Sequence, residues 1–235
     1  MTDNKPEKKE NFLLNLALNI IIPTIILTKF SGDAYLGPRL GIIVALSFPI
    51  FYGLYDFARQ KKINFFSALG VVSILLTGGI SLLELDPKYI AIKEAAIPAL
   101  LGLAMLVSVK TRYPLVKVFL YNDKVLHTTK ISACLEQRGN TSAFDSTLIN
   151  ASYIVAASFF LSSALNYALA KLIVVSQPGT EAFASELGKM TAYSYIVILI
   201  PSILVMFMAL FYLFSRIKHL TGLTLEEILH DTHNA

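Results

Sequence analysis

Residues 191–214 read TAYSYIVILIPSILVMFMALFYLF, a run that contains no charged side chain. An α-helix that crosses the hydrocarbon core of a bilayer needs about 20 mostly apolar residues, because it rises about 1.5 Å per residue. Backbone groups in lipid must be paired within their own segment, so a single block of this length is expected to be helical. The stretch therefore predicts a transmembrane helix.

Five other apolar blocks of similar length come earlier in the sequence. The chain of 235 residues is 55% apolar and 15% charged, whereas ordinary soluble domains are about 45–50% apolar and about 25% charged. The six predicted spans cover residues 12–28, 36–57, 65–83, 89–109, 148–175 and 191–214. The fifth is long enough either to tilt or to begin outside the hydrocarbon. We predict an all-α polytopic membrane protein with a six-helix transmembrane bundle.

The distribution of Lys and Arg predicts how these spans are oriented. Positively charged loops stay on the cytoplasmic side of a membrane. If the N-terminus is inside, 14 of the 20 basic residues fall in the inner segments. This predicts an N-in/C-in topology with an N-terminal tail of residues 1–11, a membrane domain of 12–216 with a cytoplasmic loop at 110–147, and a C-terminal tail of 217–235. The basic residues form no continuous stripe, so the net charge of +4 does not indicate nucleic-acid binding.

The segments between the spans carry weaker signals. Residues 114–126 predict either a helix lying on the membrane surface or a connector packed on the bundle. Residues 137–145 have a loop composition, and the outer loops at 30–35, 84–88 and 176–190 are predicted to be short. Thr224 and Glu227 form a Thr-x-x-Glu capping pattern, which predicts a short polar helix over residues 224–233.

Polar side chains within the first span are one set of candidates for function, because such groups are costly in hydrocarbon. Asn11, Asn15 and Asn19 recur at every fourth residue and share one face of the helix. They predict either hydrogen bonds to a neighbouring helix or part of a path for a polar solute, and the first alternative is favoured because Asn commonly joins membrane helices.

Charged residues near the outer ends of the spans are the second set. Lys93 and Glu94 lie about a turn inside the fourth span, where Lys93 either pairs locally or marks a functional position. The carboxylates available to Lys93 are Asp33, Glu84, Asp86 and Glu94. Lys93 is the first choice for a functional residue, with Asp86 and Arg39 as further candidates.

Motifs for catalysis are missing from the sequence. It contains no HExxH, no Walker lysine motif, no G-x-S-x-G and only one cysteine, Cys134. We therefore expect no enzymatic activity, no cofactor and no metal site. Pro23, Pro49, Pro98 and Pro201 interrupt four predicted spans and predict helix kinks.

Residues 77–120 and 165–170 resemble the intracellular septation protein A family of bacterial inner-membrane proteins, or a sister family of it. The similar positions are Gly78-Gly79, Asp86, Lys93, Pro114-Leu115 and, in the second stretch, Asn166. The chain departs from that family in its longer cytoplasmic loop, its longer C-terminal tail and its lack of tryptophan. The resemblance implies a multi-pass protein of the bacterial inner membrane that supports envelope maintenance and septation through contacts with other membrane proteins.

Two functions from different classes follow from these features. The first is a non-enzymatic membrane protein that works through helix contacts. Its partners would be the lipid bilayer and envelope or division proteins. The many small residues in its spans are also compatible with a homo-oligomer. The alternative is a small secondary transporter or exporter of a solute or lipid, with Asn15, Asn19, Lys93, Glu94 and Asn166 lining the path. A continuous polar cavity among those side chains would favour transport.

Overall fold

The computed structural model describes residues 12–60, 65–111, 114–123 and 126–229. Nearly all of these residues are helical. The described ranges contain no strand, and their β-type pairing is an isolated antiparallel bridge between Leu126 and Leu229. The predicted all-α fold class is confirmed.

Nine helical elements follow one another along the part of the chain that the structure describes. The first, α1, is a continuous run of the segments Phe12–Leu16, Ala17–Ile21, Ile22–Ile25 and Ile26–Phe30. It is followed by α2 (Gly37–Gln60), α3 (Phe65–Leu82), α4 (Lys88–Val109), α5 (Val116–Phe119), α6 (Thr128–Gln137) and α7 (Thr141–Ile173). The last long helix, α8, runs through Glu181–Ser194, Tyr195–Leu199 and Ile200–Thr221, and α9 is Leu225–Ile228.

Five of these helices are long and apolar enough to cross a membrane. Their apolar parts are Leu13–Phe30, Gly37–Tyr55, Lys88–Val109, Thr141–Ile173 and Glu181–Thr221. The predicted third span coincides with α3, which has 18 residues, but its apolar part among the described residues is the shorter Leu69–Leu82. Among the described residues, five of the six predicted spans therefore correspond to helices long and apolar enough to cross a membrane.

The last long helix begins earlier than its apolar run predicts. It starts at Glu181, so residues 181–190 are helical and the prediction of an outer loop over 176–190 is wrong for this part. Thr180 caps the new start, because its side-chain oxygen accepts a hydrogen bond from the backbone N–H of Phe183 at 3.2 Å. Phe183, Leu187 and Met190 are buried along one face, and this burial stabilises the helix although the hydropathy of residues 181–190 is modest.

The cytoplasmic loop predicted at 110–147 contains ordered structure. Its segment at 114–126 forms a single helical turn, α5, and Val116, Leu120 and Leu126 are buried in a hydrophobic cluster. This burial agrees with a packed connector and not with a helix lying in the membrane surface. The loop predicted at 137–145 is confined to residues 138–140, centred on Gly139 at φ +66°, and the prediction is wrong for 141–145, which already belong to α7.

Two of the four prolines coincide with widened helical turns. The carbonyl four residues before Pro23 belongs to Asn19, inside the π-helical segment Ala17–Ile21. The carbonyl four residues before Pro201 belongs to Val197, inside the π-helical segment Tyr195–Leu199. A proline ring clashes with that carbonyl and provides no N–H to bond it, so a wider turn relieves the contact. Pro49 and Pro98 lie in segments that are α-helical on both sides of the proline.

The chain divides into two compact units, with boundaries inside α4, α7 and α8. The first unit comprises Met1–Glu94 and Asn166–Val197, and its core includes Leu27, Ile42, Ile90, Phe183 and Leu187. The second unit comprises Ala95–Leu165 and Ile198–Ala235, and its core includes Met105, Leu126, Ile131, Leu148 and Leu213. All the residues singled out as functional candidates belong to the first unit.

Candidate functional site

Lys93 lies on α4, and its side chain is only 6% exposed. Three oxygen atoms surround its ammonium group. The carboxylate Oε1 of Glu94 is 2.6 Å away, the hydroxyl of Thr77 is 2.8 Å away and the hydroxyl of Ser73 is 3.1 Å away. A lysine ammonium has three N–H donors, so this set of acceptors satisfies it completely.

The two hydroxyls that hold Lys93 come from one face of α3. Ser73 and Thr77 are four residues apart, which places them one above the other on a helix. The hydroxyl of Thr77 donates its own hydrogen to the carbonyl of Ser73 at 3.0 Å, so its lone pairs remain free to accept from Lys93. The hydroxyl of Ser81 continues the pattern by donating to the carbonyl of Thr77 at 2.7 Å. The polar face of α3 therefore provides hydrogen-bond acceptors for the lysine of α4.

Glu94 is the more open member of the ion pair, with a side chain 23% exposed. Adjacent residues on a helix do not face each other, and the pair forms because both side chains are long enough to bend together. The backbone carbonyl of Glu94 has no helical donor, since residue 98 is a proline. The pair brings one positive and one negative charge into the same place and leaves the site neutral.

Ser73 and Thr77 were not among the residues identified from the sequence. Of the four carboxylates proposed as partners of Lys93, the structure selects Glu94, while Glu84 and Asp86 pair with other residues. The available signal was the spacing of hydroxyls at 73, 77 and 81 in an otherwise apolar helix. That pattern also occurs in helices whose Ser and Thr bond only to their own backbone, so spacing alone does not select the lysine as the partner.

Asp86 serves to begin α4. Its carboxylate accepts a hydrogen bond from the backbone N–H of Lys88 at 2.9 Å and lies 3.2 Å from the Lys88 ammonium. The backbone hydrogen bond, followed by the contact with the Lys88 side chain, holds the pKa of Asp86 below its usual value. Both side chains are more than half exposed. The geometry is that of a helix N-cap, with Pro87 between the two residues.

Arg39 forms an exposed ion pair with Glu84, which lies two residues after the end of α3. Glu84 has a φ of +55°, a left-handed conformation that is uncommon for residues other than glycine. The backbone N–H of Leu85 bonds the carbonyl of Ile80 at 3.0 Å, so the conformation closes the C-terminus of the helix. Arg39 thus supports a helix end, and its ion-pair partner differs from that of Lys93.

Asn15 and Asn19 bond to each other on α1. The side-chain amide of Asn19 donates to the backbone carbonyl of Asn15 at 3.0 Å and to its side-chain oxygen at 3.1 Å. The predicted bonds to a neighbouring helix are not among these contacts, which stay within one helix. Asn11 lies outside the described residues, and Asn166 is partly buried on α7, one turn before the core residue Ala170.

A further polar contact joins the segment after α7 to α8, and sequence reasoning missed it. The carboxylate of Glu186 accepts hydrogen bonds from the backbone N–H groups of Val175 and Ser176, at 2.9 and 2.8 Å, and from the hydroxyl of Ser176 at 2.7 Å. The Glu186 carboxylate thereby accepts three hydrogen bonds from the residues that follow α7. This contact fixes the turn and resembles a capping interaction more than a binding site.

Six of the seven candidates therefore fall into local pairs instead of one shared site. Lys93 is paired with Glu94, Asn15 with Asn19, Arg39 with Glu84 and Asp86 with Lys88. Within the ranges that the structure describes, no group of three or more His, Cys, Asp or Glu residues is placed to hold a metal ion. No protein-family model, curated protein or solved structure matches the chain.

Proposed function

We propose that this chain is a six-span protein of the bacterial inner membrane with both ends in the cytoplasm. Five helices of spanning length support this, together with the 14 basic residues that fall in the proposed inner segments. The sixth span is α3, whose 18 residues extend about 27 Å at about 1.5 Å per residue, close to the hydrocarbon thickness of about 30 Å.

We further propose that the protein is non-enzymatic and acts through contacts with other membrane proteins, in support of envelope maintenance and septation. The observation that carries this proposal is the complete pairing of Lys93. A substrate-binding lysine needs a free N–H donor for its ligand, whereas all three donors of this ammonium are used by Glu94, Thr77 and Ser73. The group then serves to join α3 to α4.

The other polar candidates support the same reading. Asn19 is bonded to Asn15 within one helix, and the exposed pair of Arg39 with Glu84 lies at a helix end. These pairings stabilise helices and their ends, which supports a structural role for these groups. The family resemblance at Gly78-Gly79, Asp86, Lys93, Pro114-Leu115 and Asn166 supplies the proposed context of envelope and septation.

The surface offers large apolar side chains for helix contacts. Leu172 is 78% exposed and Phe211 is 77% exposed, and both lie on helices of spanning length. In a membrane such side chains face lipid or another helix. Association there depends on close packing and on hydrogen bonds, because lipid tails are as apolar as the helices themselves.

The test is affinity capture of the tagged protein from native membranes after crosslinking, followed by mass spectrometry. We expect enrichment of envelope-synthesis or division proteins relative to an unrelated six-span protein expressed at the same level. A second sample carries Phe211→Ala, which removes an exposed ring while leaving the buried core unchanged.

Capture of the protein alone, or only with itself, would contradict the contact proposal and favour the transport alternative. Equal recovery of the same proteins by the unrelated control would contradict it as well, because the contacts would then be unspecific. Selective loss of one captured protein in Phe211→Ala would locate part of the contact surface on α8.

A further inference from the structure

Two of the three helices that pass from one compact unit into the other are interrupted at the point of crossing. The first unit gives way to the second after Glu94 in α4 and after Val197 in α8, and the third crossing, in α7, follows Leu165. Pro98 lies four residues after Glu94, and Pro201 lies four residues after Val197. A proline has no N–H, so the carbonyls of Glu94 and Val197 lack their α-helical donors. In both helices the gap in the hydrogen-bond ladder therefore coincides with the boundary.

Side-chain hydrogen bonds hold α4 on each side of its boundary. Before it, the Lys93 ammonium is bonded to Ser73 and Thr77 of α3, which belong to the same unit. After it, the carbonyl of Ala95 accepts a hydrogen bond from the hydroxyl of Ser163 of α7 at 2.8 Å, and both residues belong to the second unit. None of these bonds joins one unit to the other, so α4 can bend at the boundary without breaking them.

α8 combines a wide turn at its boundary with a buried hydroxyl that has no hydrogen-bond partner among the described residues. The wide turn is the π-helical segment Tyr195–Leu199, and the hydroxyl is that of Ser202. Thr191 and Ser194, earlier in the same helix, donate to the carbonyls four residues before them at 2.9 and 2.7 Å. The carbonyl of Ile198 would accept the corresponding bond from Ser202 if the turn closed to α-helical geometry. The wide turn favours the proline ring and the closed turn favours the hydroxyl, so α8 has two competing geometries.

We propose that α4 and α8 bend at these two boundaries, and that the bends form a hinge about which the two units change their relative orientation. Sharp changes in helix direction occur at prolines and at π-helical turns. Hinge motions concentrate the change in a few residues while the packed parts move as rigid bodies. α7 crosses as an uninterrupted α-helix, which limits the motion to the gentle curvature that a continuous helix can follow.

Distances between nitroxide labels measure this motion, and Cys134→Ser gives a thiol-free chain in which to place them. One pair, Leu83→Cys with Lys218→Cys, has one label in each unit. A second pair, Leu83→Cys with Tyr55→Cys, has both labels in the first unit. All three side chains are exposed. The full chain is reconstituted in lipid nanodiscs, and double electron–electron resonance gives the distribution of distances between the labels.

We expect a broader distance distribution for the pair with labels in both units than for the pair within the first unit. The segment Ile200–Thr221 has 22 residues and extends about 33 Å, so a change in bend of about 20° displaces its end by about 11 Å. Pro98→Ala together with Pro201→Ala restores both missing N–H donors and removes the clashes of the rings. The distribution between the units should then narrow toward that of the pair within one unit.

Pro49→Ala is the matched control, because α2 lies wholly within the first unit. It should leave the distribution between the units unchanged. If the double variant fails to fold, each single variant is measured instead and should narrow the distribution in part.

Three results would overturn the proposal. A distribution between the units as narrow as that within the first unit would show that the wild-type chain does not bend. An unchanged width after both prolines are replaced would exclude them as the hinge. Equal narrowing by Pro49→Ala would show a general effect of removing a proline.

Discussion

The ammonium of Lys93 shows how a charged side chain can be accommodated inside a membrane helix. Insertion scales assign a cost of about 2.5–3.5 kcal/mol to a lysine at the centre of a span. Here Glu94 provides the opposite charge, and the hydroxyls of Ser73 and Thr77 satisfy the remaining donors. The cost of burial is offset only while all the partners are present, so the loss of one partner should clearly lower the free energy of unfolding.

The first prediction concerns Lys93→Met, which keeps most of the side-chain volume but removes the charge. The carboxylate of Glu94 then loses its partner, and breaking a buried ion pair in this way costs about 3–5 kcal/mol. We expect a correspondingly lower free energy of unfolding in detergent, measured by circular dichroism as denaturant is added.

Two further variants decide whether pairing is the cause. The double change Lys93→Met with Glu94→Gln removes both charges and should recover most of the lost stability. Lys88→Met breaks an ion pair on the same helix whose two side chains are more than half exposed, so it should have little effect. Equal stability of Lys93→Met and Lys88→Met would contradict the role assigned to the buried pair.

Only part of this site could be predicted from the sequence. Lys93 and Glu94 are adjacent and opposite in charge, so their pairing was among the expected outcomes. Ser73 and Thr77 depend on which face α3 turns toward α4, and that rotation is set by packing of residues such as Ile80 and Ile90. The helical period shows that two residues share a face, but it does not show which other helix that face contacts.

At the scale of helices, close packing in the first unit depends on Gly188 of α8. A methyl group added there would lie 2.8 Å from Cγ2 of Thr28, 2.9 Å from Cβ of Leu27 and 3.2 Å from the carbonyl oxygen of Thr24. These atoms all belong to α1, and two of them cannot move without moving its backbone. Glycine is therefore what allows α1 and α8 to approach each other here.

The second prediction is that Gly188→Ala separates these helices and lowers the free energy of unfolding by about 1–3 kcal/mol. The gain in helix propensity, about 1 kcal/mol from Gly to Ala, acts in the opposite direction and partly masks the loss. Gly79→Ala is the matched control, because it lies within α3 with no atom within 4 Å of the added methyl group. A loss of stability in Gly79→Ala as large as in Gly188→Ala would contradict the packing argument.

The capping pattern at the start of α9 was predicted from the sequence and is confirmed. The hydroxyl of Thr224 accepts from the backbone N–H of Glu227, and the carboxylate of Glu227 accepts from the backbone N–H of Thr224 at 2.9 Å. By contrast, the helical start at Glu181 was missed, since charged residues between 181 and 190 lower the hydropathy that marked the span. Local capping is encoded in a few adjacent residues, whereas the extent of a polar helix end depends on burial against other elements.

The third prediction uses the titration of Glu227. Hydrogen bonds from the Thr224 backbone N–H and then from Lys130 lower the pKa of this carboxyl from its ordinary value of 4.5. Because the folded pKa is the lower one, the stabilisation is fully present above 4.5 and is lost as the pH falls through the folded value. We therefore expect protection of the His127 amide, which bonds the carbonyl of Ile228 at 2.9 Å, to decrease on acidification.

Amide hydrogen exchange, corrected for the intrinsic effect of pH, measures this protection. Glu227→Gln should lower it at neutral pH and remove its dependence on acidification below 4.5. The neighbouring exposed residue provides the control, since Glu226→Gln leaves the capping box and the Lys130 contact unchanged. Identical exchange in both variants at neutral pH would exclude a role for the Glu227 carboxylate in holding this segment.

At the scale of the whole molecule, the lengths of the helices set the number of membrane crossings. The 33 residues of α7 extend about 50 Å, well beyond the hydrocarbon thickness of about 30 Å. This agrees with the sequence prediction that the fifth span tilts or begins outside the hydrocarbon. The apolar part of α3, by contrast, is shorter than a typical span. Whether α3 crosses decides between five and six crossings, and therefore the side of the membrane on which α4, α7 and α8 begin.

The last prediction therefore concerns the crossing of α3. Cys134 is the single cysteine, so Cys134→Ser gives a thiol-free chain into which one reporter can be placed. Tyr35→Cys before α2, Leu83→Cys after α3 and Glu136→Cys in α6 all replace exposed side chains. With six spans and the N-terminus inside, a membrane-impermeant maleimide should label positions 35 and 83 in intact spheroplasts. Position 136 should react only after lysis.

If α3 does not cross, position 83 becomes protected and position 136 becomes reactive, because every later helix then runs in the opposite direction. The two reporters must therefore change together, and labelling of position 83 with protection of position 136 is the pattern that six crossings require.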